Sequence, residues 1–381
     1  VAGNHILRKA DGQKVITPAS HIKTYGEPTL TNVPQTPLDY CKEIKDISAE
    51  DLKKIVYPRK LSPLQQEFLS WHNRLFHMPF YRMHKLVKYG ILPKRFLKVF
   101  DKGHSNLVCV SCQFGKQHRK PWRTKGSSGG SIRTEAQKKP GDGTSVDQIV
   151  SAQPGLVPQM SGALTSDRIW GATIFVDHVT NYVYCHLMKA LTLEETLLAK
   201  RAYEKLLSKM GHSVKHYRAD NGRFHDQGFV KDVNDKDQTI DFCAVGSHHQ
   251  NGIVENRNKE ITNGARTLLL HGIRMWPQMI DSMFWPFALK AYTERLNCLQ
   301  LDKYGQTPES RMAGVSLQKD YVRVSHYHTL FCPVYVLDSR LQSAGGAGPP
   351  KWQPRSRICV YLGPSPFHSG SVALVWNPRT G

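Results

Sequence analysis

Between residues 141 and 300 the chain alternates strand and helix signals in an order that few architectures accept. Thr144-Ser-Val-Asp-Gln-Ile-Val150 reads as a strand and is followed by a Gly- and Pro-containing insert to about Asp167. Residues 169–176 and 182–188 are two β-rich runs across the turn formers Thr180-Asn181, which predicts a hairpin. Thr192-Leu-Glu-Glu195 is a capping box, opening a helix that should end at Gly211. A strand over 214–218, a short helix over about 224–233 and a strand over 238–245 follow, then helices over about 251–270 and 276–297. The order βββαβαβαα describes one mixed five-stranded sheet with helices on both faces.

The flanks differ in character. Residues 1–60 hold Pro28, Pro34 and Pro37 with weak periodicity, and read as a linker or the tail of a preceding region with one short helix after Ser48. Residues 61–118 form a small helical unit. Ser62 and Pro63 open a helix striped by Leu64, Phe68, Trp71 and Leu75, and a second helix around Met83–Val87 stops at Gly90. The basic run Lys116–Lys125 and Gly126-Ser-Ser-Gly-Gly-Ser131 make residues 119–140 a basic flexible linker. Residues 315–381 carry short strands between Gly/Pro-rich loops, as in a small β-barrel, and end in mid-pattern, as in a piece of a longer chain.

The formal charge of +21 over 381 residues favours a polyanionic partner. No run approaches the ~20 apolar residues of a membrane span, so nucleic acid is preferred to a membrane. Of eight cysteines only Cys109 and Cys112 are close neighbours, which suits a reducing compartment with one metal site better than a disulfide framework.

His72 and His77 with Cys109-Val-Ser-Cys112 supply the tetrahedral donor set that Zn2+ prefers. Histidines five apart lie about 140° apart on a regular helix, so the helix must end between them; Pro79 and the turn around Phe76 allow that. His84, His104 and His118 are competing ligands that spacing leaves open.

A second cluster is acidic. Tyr217-Arg-Ala-Asp220-Asn-Gly ends a strand in a carboxylate, and Glu255 sits in the first turns of a helix opened by Gly252. Carboxylates on separate elements can converge on a divalent metal. A further acid is either Asp147, in mid-strand, or Asp177, in the turn-like Asp177-His-Val-Thr-Asn181. A charge inside Val-Asp-Gln-Ile-Val requires a reason, which favours Asp147. Glu260, five residues beyond Glu255, should face away. Arg257, Lys259 and Arg266 on the same helix are candidate phosphate contacts, or a solvated face.

Taken together, Trp71-His-Asn-Arg-Leu-Phe-His77 with Cys109-Val-Ser-Cys112-Gln-Phe-Gly-Lys116, Ser145-Val-Asp147, Arg218-Ala-Asp220-Asn-Gly-Arg223 and His249-Gln-Asn-Gly252-Ile-Val-Glu255-Asn-Arg257 resemble the integrase region of copia-type retrotransposon polyproteins. The first segment is similar to the zinc-binding GAG-pre-integrase domain. Thr307-Pro-Glu-Ser310 and Val360-Tyr-Leu-Gly363 are similar to the segment leading through a C-terminal SH3-like barrel. The resemblance covers roughly residues 65–381. Departures are Asn256, His249 and a spacing of 34 residues between Asp220 and Glu255, one short of the retroviral pattern.

The resemblance implies a ribonuclease-H-like core with a triad of acids, Asp147, Asp220 and Glu255, holding two Mg2+ or Mn2+ ions. Counting strands from Asp147 reproduces the family's order; counting from Asp177 leaves one strand too few. It implies joining of the 3′-hydroxyl ends of element cDNA to target DNA, a homo-oligomer, and action in the nucleus after a cytoplasmic particle stage. The alternatives are another nuclease or transposase on the same fold, or a decayed or domesticated zinc protein that binds nucleic acid without catalysis.

Overall fold

The computed structural model describes residues 4–8, 14–18, 61–101, 107–117, 137–159, 165–243, 251–315, 324, 327–341, 348–365, 368 and 372–379. The helix expected after Ser48 and most of the basic linker lie outside these residues. Within the expected N-terminal linker, β1 (Asn4–Arg8) and β2 (Lys14–Pro18) pair antiparallel, with Ile6 opposite Ile16. The prolines that argued against structure, Pro28, Pro34 and Pro37, all lie beyond these two strands.

Helix α1 (Pro63–Arg74) starts as expected, with Ser62 and Gln65 forming a reciprocal capping box. Helices α2 (Phe80–Lys88), α3 (Leu97–Asp101) and α4 (Val110–Lys116) complete the small unit. Its core of Phe68, Met83, Leu86, Phe96 and Val99 extends onto Leu299 and Leu301 of the neighbouring domain.

The central sheet contains β3 (Thr144–Gly155), β4 (Ile169–Asp177) and β5 (Val183–Met188). After α5 (Leu193–Lys209) come β6 (His216–Ala219), α6 (Gln227–Asn234) and β7 (Thr239–Phe242). The strand order is β5-β4-β3-β6-β7. β3, β4 and β5 are antiparallel, whereas β6 runs parallel to β3 and β7 parallel to β6. This is a ribonuclease-H-like sheet. Alternation along the strands sends Val146, Phe175 and Tyr217 to the face covered by α5 and α6. It sends Ile174 and Val176 to the face covered by α7 (Gly252–Met275) and α8 (Trp285–Leu299).

Two boundaries differ from expectation. The second long helix starts at Trp285 rather than near Trp276, because Pro277 follows the α7 cap and Asp281 caps a separate 3₁₀ turn at Ser282–Phe284. β3 runs on to Gly155, where a side chain would strike the Pro286 ring at 2.3 Å.

Beyond α9 (Pro308–Met312), β8 (Pro333–Leu337), β9 (Ser356–Pro364) and β10 (Ala373–Trp376) form an antiparallel sheet in the order β10-β9-β8. Among the described residues this small sheet stands where the barrel was expected. Phe331, Val360 and Leu362 join it to the α7–α8 core.

The α7–α8 contact is close at Gly264, where a Cβ would lie 2.3 Å from the Tyr292 ring. Alanine gains about 1 kcal/mol of helix propensity over glycine, but overpacking costs about 1–3 kcal/mol. Tyr292 is only 6% exposed and has little room to yield. Gly264→Ala should therefore lower the melting temperature by several degrees; an unchanged or higher value in a thermal melt would contradict this packing.

Candidate functional site

The register of the sheet places the acids. Thr144 pairs with Tyr217 and Ser145 with Arg218 across the parallel β3–β6 ladder. Carried two residues further, the same register sets Asp147 beside Asp220, just past the end of β6. Asp220 opens a turn pinned to the end of β7 by Asn221 Nδ2, which donates to the Cys243 carbonyl (2.5 Å). Gly222 leaves the carboxylate uncovered: a Cβ there would sit 3.2 Å from both Asp220 oxygens.

Helix α7 brings the remaining acid. Asn251, at its N-cap and 2% exposed, donates to the Val146 carbonyl (3.2 Å) and fixes the helix start over β3. Asn258 Nδ2, one turn beyond Glu255, donates to Asp147 Oδ2 (2.7 Å). The Gln148 amide donates to Asp147 Oδ1 (2.8 Å). Burial pushes the Asp147 carboxyl up to about 6, and the nearby charges of Asp220 and Glu255 add to the shift despite the two donors. The charges of Asp220 and Glu255 thus act on Asp147 at one edge of the sheet.

Asp177 has a different task. It is fully buried; Oδ1 accepts from the Gly141 amide (2.8 Å), and Oδ2 accepts from the amide and hydroxyl of Thr180 (both 2.7 Å). It caps the turn after β4 and ties it to the start of β3. Glu260 faces away from the acids, in ion pairs with Arg82 (2.5 Å) and Arg257 (2.7 Å).

The His72, His77, Cys109 and Cys112 ligand atoms all lie within 4.8 Å of one another, the one such His/Cys/Asp/Glu group among the described residues. The acids do not form a comparably tight set. Helix α1 ends at Arg74, and Phe76 and His77 take positive φ values of 59° and 54°. This reverses the chain so that His77 faces back toward His72. His77 Nδ1 lies 3.2 Å from both His72 Nε2 and Cys109 Sγ. Cys112 Sγ lies 3.3 Å from His72 Nε2 and 3.6 Å from His77 Nδ1. These separations match the roughly 3.3–3.7 Å edges of a tetrahedron built with zinc–nitrogen and zinc–sulfur bond lengths. His72 Nδ1 is oriented by the Met78 carbonyl (2.8 Å), the outer support that metal-bound imidazoles need. Burial, with His271 and His72 beside it, holds His77 well below its usual pKa and so neutral, the ligating form. A hydrogen bond from Cys109 pulls the Cys112 thiol down despite burial, and Lys116 works in the same direction. Of the competing histidines, His84 packs on Phe100 at 4.4 Å, and His104 and His118 lie outside the described residues.

The three candidate phosphate contacts diverge. Arg257 binds Glu260 and Gln300 (3.0 Å), with its side chain only 13% exposed. Arg266 is exposed, yet donates to the Gly115 carbonyl (3.2 Å) and to Asn263 (2.8 Å). Lys259 is exposed. Sequence reasoning missed Asn258; its spacing, three residues after Glu255 on one helix face, was the available signal.

A family model for the GAG-pre-integrase domain matches residues 51–117. The Retrovirus-related Pol polyprotein from transposon TNT 1-94 of Nicotiana tabacum is 23% identical over 201 residues, 52% of this chain and 13% of that protein. The chain therefore spans a small part of that relative's length. The HTLV-2 integrase catalytic core domain in complex with magnesium is 19% identical and covers 46% of this chain and 97% of its own, with a TM-score of 0.33. A simian T-cell lymphotropic virus intasome in complex with PP2A regulatory subunit B56 gamma is 15% identical, covers 63% and 77% respectively, and has a TM-score of 0.35. The fold itself rests on the observed strand order. The chain is similar to the integrase region of a retrotransposon polyprotein, with a GAG-pre-integrase domain ahead of a ribonuclease-H-like core.

The raised Asp147 carboxyl has a signed consequence. Its proton is bound more tightly in the folded than in the unfolded chain, so this group stabilises the fold most below its ordinary value near pH 4. That stability is lost as pH rises through about 6. The loss is about 2 kcal/mol after allowance for partial exposure. In the metal-free protein, the melting temperature of Asp147→Asn should rise relative to wild type between pH 4 and pH 7. A difference that stays flat across that range would show that Asp147 is not strained in this way.

Proposed function

We propose that this chain is a retrotransposon integrase, a polynucleotidyl transferase that joins the 3′-hydroxyl ends of element cDNA to phosphodiesters of target DNA. The observation that carries the reading is the β3–β6 register, which puts Asp147 beside Asp220, with Glu255 delivered to the same edge by α7. Three carboxylates at one sheet edge, with the charges of Asp220 and Glu255 acting on Asp147, are a donor set suited to Mg2+ or Mn2+. Asp147, Asp220 and Glu255 would hold the ions, which when bound activate the attacking hydroxyl and stabilise the leaving oxygen. The protein's own contribution is placement. Asn258 and the Gln148 amide orient Asp147, Asn221 pins the Asp220 turn, and Gly222 keeps that carboxylate accessible.

His72, His77, Cys109 and Cys112 would hold Zn2+. Four protein donors leave no open position, which makes the site structural rather than catalytic. DNA, both the element's ends and the target, is the partner that the +21 charge suits. Lys259 is the exposed candidate contact nearest the acids on α7. Concerted joining of two ends calls for a homo-oligomer, acting in the nucleus after a cytoplasmic particle stage. Among the described residues no helix is long and apolar enough to cross a membrane.

In a strand-transfer assay with short cDNA-end duplexes and Mg2+, wild type should give joined products. Asp147→Asn, Asp220→Asn and Glu255→Gln should each reduce them by at least about 100-fold, since removing one ligand group from such a unit disables the whole. Cleavage confined to RNA–DNA hybrids would point to a nuclease instead, and DNA binding with no joining to a decayed binding protein. Separately, metal analysis should find one Zn2+ per chain. Its removal, or Cys109→Ser, should unfold residues 61–117, read as lost amide protection; full protection in the zinc-free protein would refute a structural zinc.

A further inference from the structure

Helix α7 presents three sides to three different neighbours. At about 100° per residue, Val254, Ile261, Ala265 and Leu268 form one stripe, buried in the sheet-side core. Glu255 and Asn258 turn from that stripe to one side, toward Asp147. Glu260, Thr267 and His271 lie about 100–140° to the other side, where the histidine–cysteine module packs. Arg82 of α2 pairs with Glu260 there at 2.5 Å, with side-chain exposures of 16% and 25%. The other Glu260 oxygen binds Arg257, which also reaches Gln300 at the end of α8. Burial works against the Arg82 charge, but Glu260 outweighs it. Further along, the backbone of Gly115 lies on Thr267 with no room for a Cβ (2.2 Å to Thr267 Oγ1). The His271 and His77 ring centroids are 4.7 Å apart.

We propose that the histidine–cysteine module sets the position of Glu255 through α7, and that Arg82 is the positioning residue, its pair with Glu260 fixing the rotation of the helix's first turns. The proposal rests on reading Asp147, Asp220 and Glu255 as a divalent-cation site. Glu255 and Glu260 are separated by about 7.5 Å of helix rise, so they move as one rigid piece. The apolar stripe resists sliding but restrains rotation weakly, since apolar contact is not directional. A rotation of about 20° would carry a carboxylate roughly 6 Å from the helix axis through about 2 Å, whereas metal–oxygen bonds tolerate only about 0.2 Å. An ion pair on the side away from Glu255 supplies the directional restraint that the stripe lacks.

The test uses the full chain with zinc retained, comparing wild type, Arg82→Ala, Arg82→Lys and Glu255→Gln. Arg95→Ala serves as the control, because it removes a solvent-exposed partner of Glu67 in the same module. Two readouts independent of turnover are the Mg2+ concentration that gives half of the maximal thermal stabilisation, and amide exchange over residues 252–262. Arg82→Ala should raise the half-saturating Mg2+ concentration roughly threefold to tenfold, a coupling of the size seen between packed neighbours. Exchange at the start of α7 should quicken, while zinc content and DNA affinity stay within about twofold of wild type. Strand transfer by Arg82→Ala should lose kcat at unchanged KM, whereas Arg82→Lys, which keeps the charge, should recover most of the metal response. An unchanged Mg2+ midpoint in Arg82→Ala would overturn the proposal. If Arg82→Ala does not fold, Arg82→Lys decides: a Mg2+ midpoint at or within twofold of wild type supports a charge-held position, and one as impaired as Glu255→Gln overturns it. If Glu255→Gln itself leaves the Mg2+ response intact, the catalytic reading fails; if it abolishes the response while Arg82→Ala matches Arg95→Ala, only the positioning role fails.

Discussion

Two rungs of parallel ladder, Thr144 beside Tyr217 and Ser145 beside Arg218, decide where the first two acids meet. A slip of one residue would turn Asp147 from the α7 face to the α5 face and put an apolar neighbour in its place. Several interactions hold that register. Val146 and Tyr217 are fully buried with Phe175 on the α5 side. The Thr144 hydroxyl meets the Tyr203 hydroxyl at 3.2 Å in the same layer. Asp177, the acid rejected as a site residue, locks the turn after β4 to Gly141, immediately ahead of β3. One buried aspartate therefore helps to hold the strand that carries another.

The site edge opposes the charge of the rest of the chain. The protein carries +21 overall, yet at this edge burial, aided by the charges of Asp220 and Glu255, raises the Asp147 carboxyl to about 6. Asn258 and the Gln148 amide favour the ionised form of Asp147, but burial outweighs them. The ionised form of Asp147 is disfavoured there, and either a proton or a cation at the edge relieves it.

Legibility in the sequence followed the range of the determining interaction. Ser62-Pro63 and Thr192 marked helix starts because caps are local, and Asn181, at φ 60°, marked the hairpin turn for the same reason. The acids were legible as strand ends and a helix start, and the choice of Asp147 over Asp177 rested on a charge in mid-strand. The start of α8 was misjudged because an apolar run cannot reveal that Asp281 diverts the chain into a separate turn. Arg257, a candidate phosphate contact or part of a solvated face, meets Glu260 three residues on along α7, but Gln300 becomes its neighbour only when α7 packs against α8. Arg82, 178 residues from Glu260 in sequence, carries no local signal of that pairing at all.

Phe76 and His77 show how tightly the two modules are joined. Two successive non-glycine residues in the left-handed region cost about 2–4 kcal/mol together, and neither bulky side chain suits that conformation. Something must over-determine the turn. The His72/His77 geometry is one part: without the reversal, His77 could not face His72. Phe76 is the other part. It is 1% exposed and belongs to the core formed by α7, α8 and the sheet, not to the core of its own module. Its ring lies 4.7 Å from the Arg295 guanidinium, which also lies over the Tyr327 ring at 3.0 Å. Burying a phenylalanine side chain contributes about 1.5–3 kcal/mol, enough to offset much of the strain before any metal binds. The same turn therefore assembles the four-donor cluster and drives an aromatic plug into the core between the sheet, α7 and α8, so the geometry of one is set in part by the packing of the other.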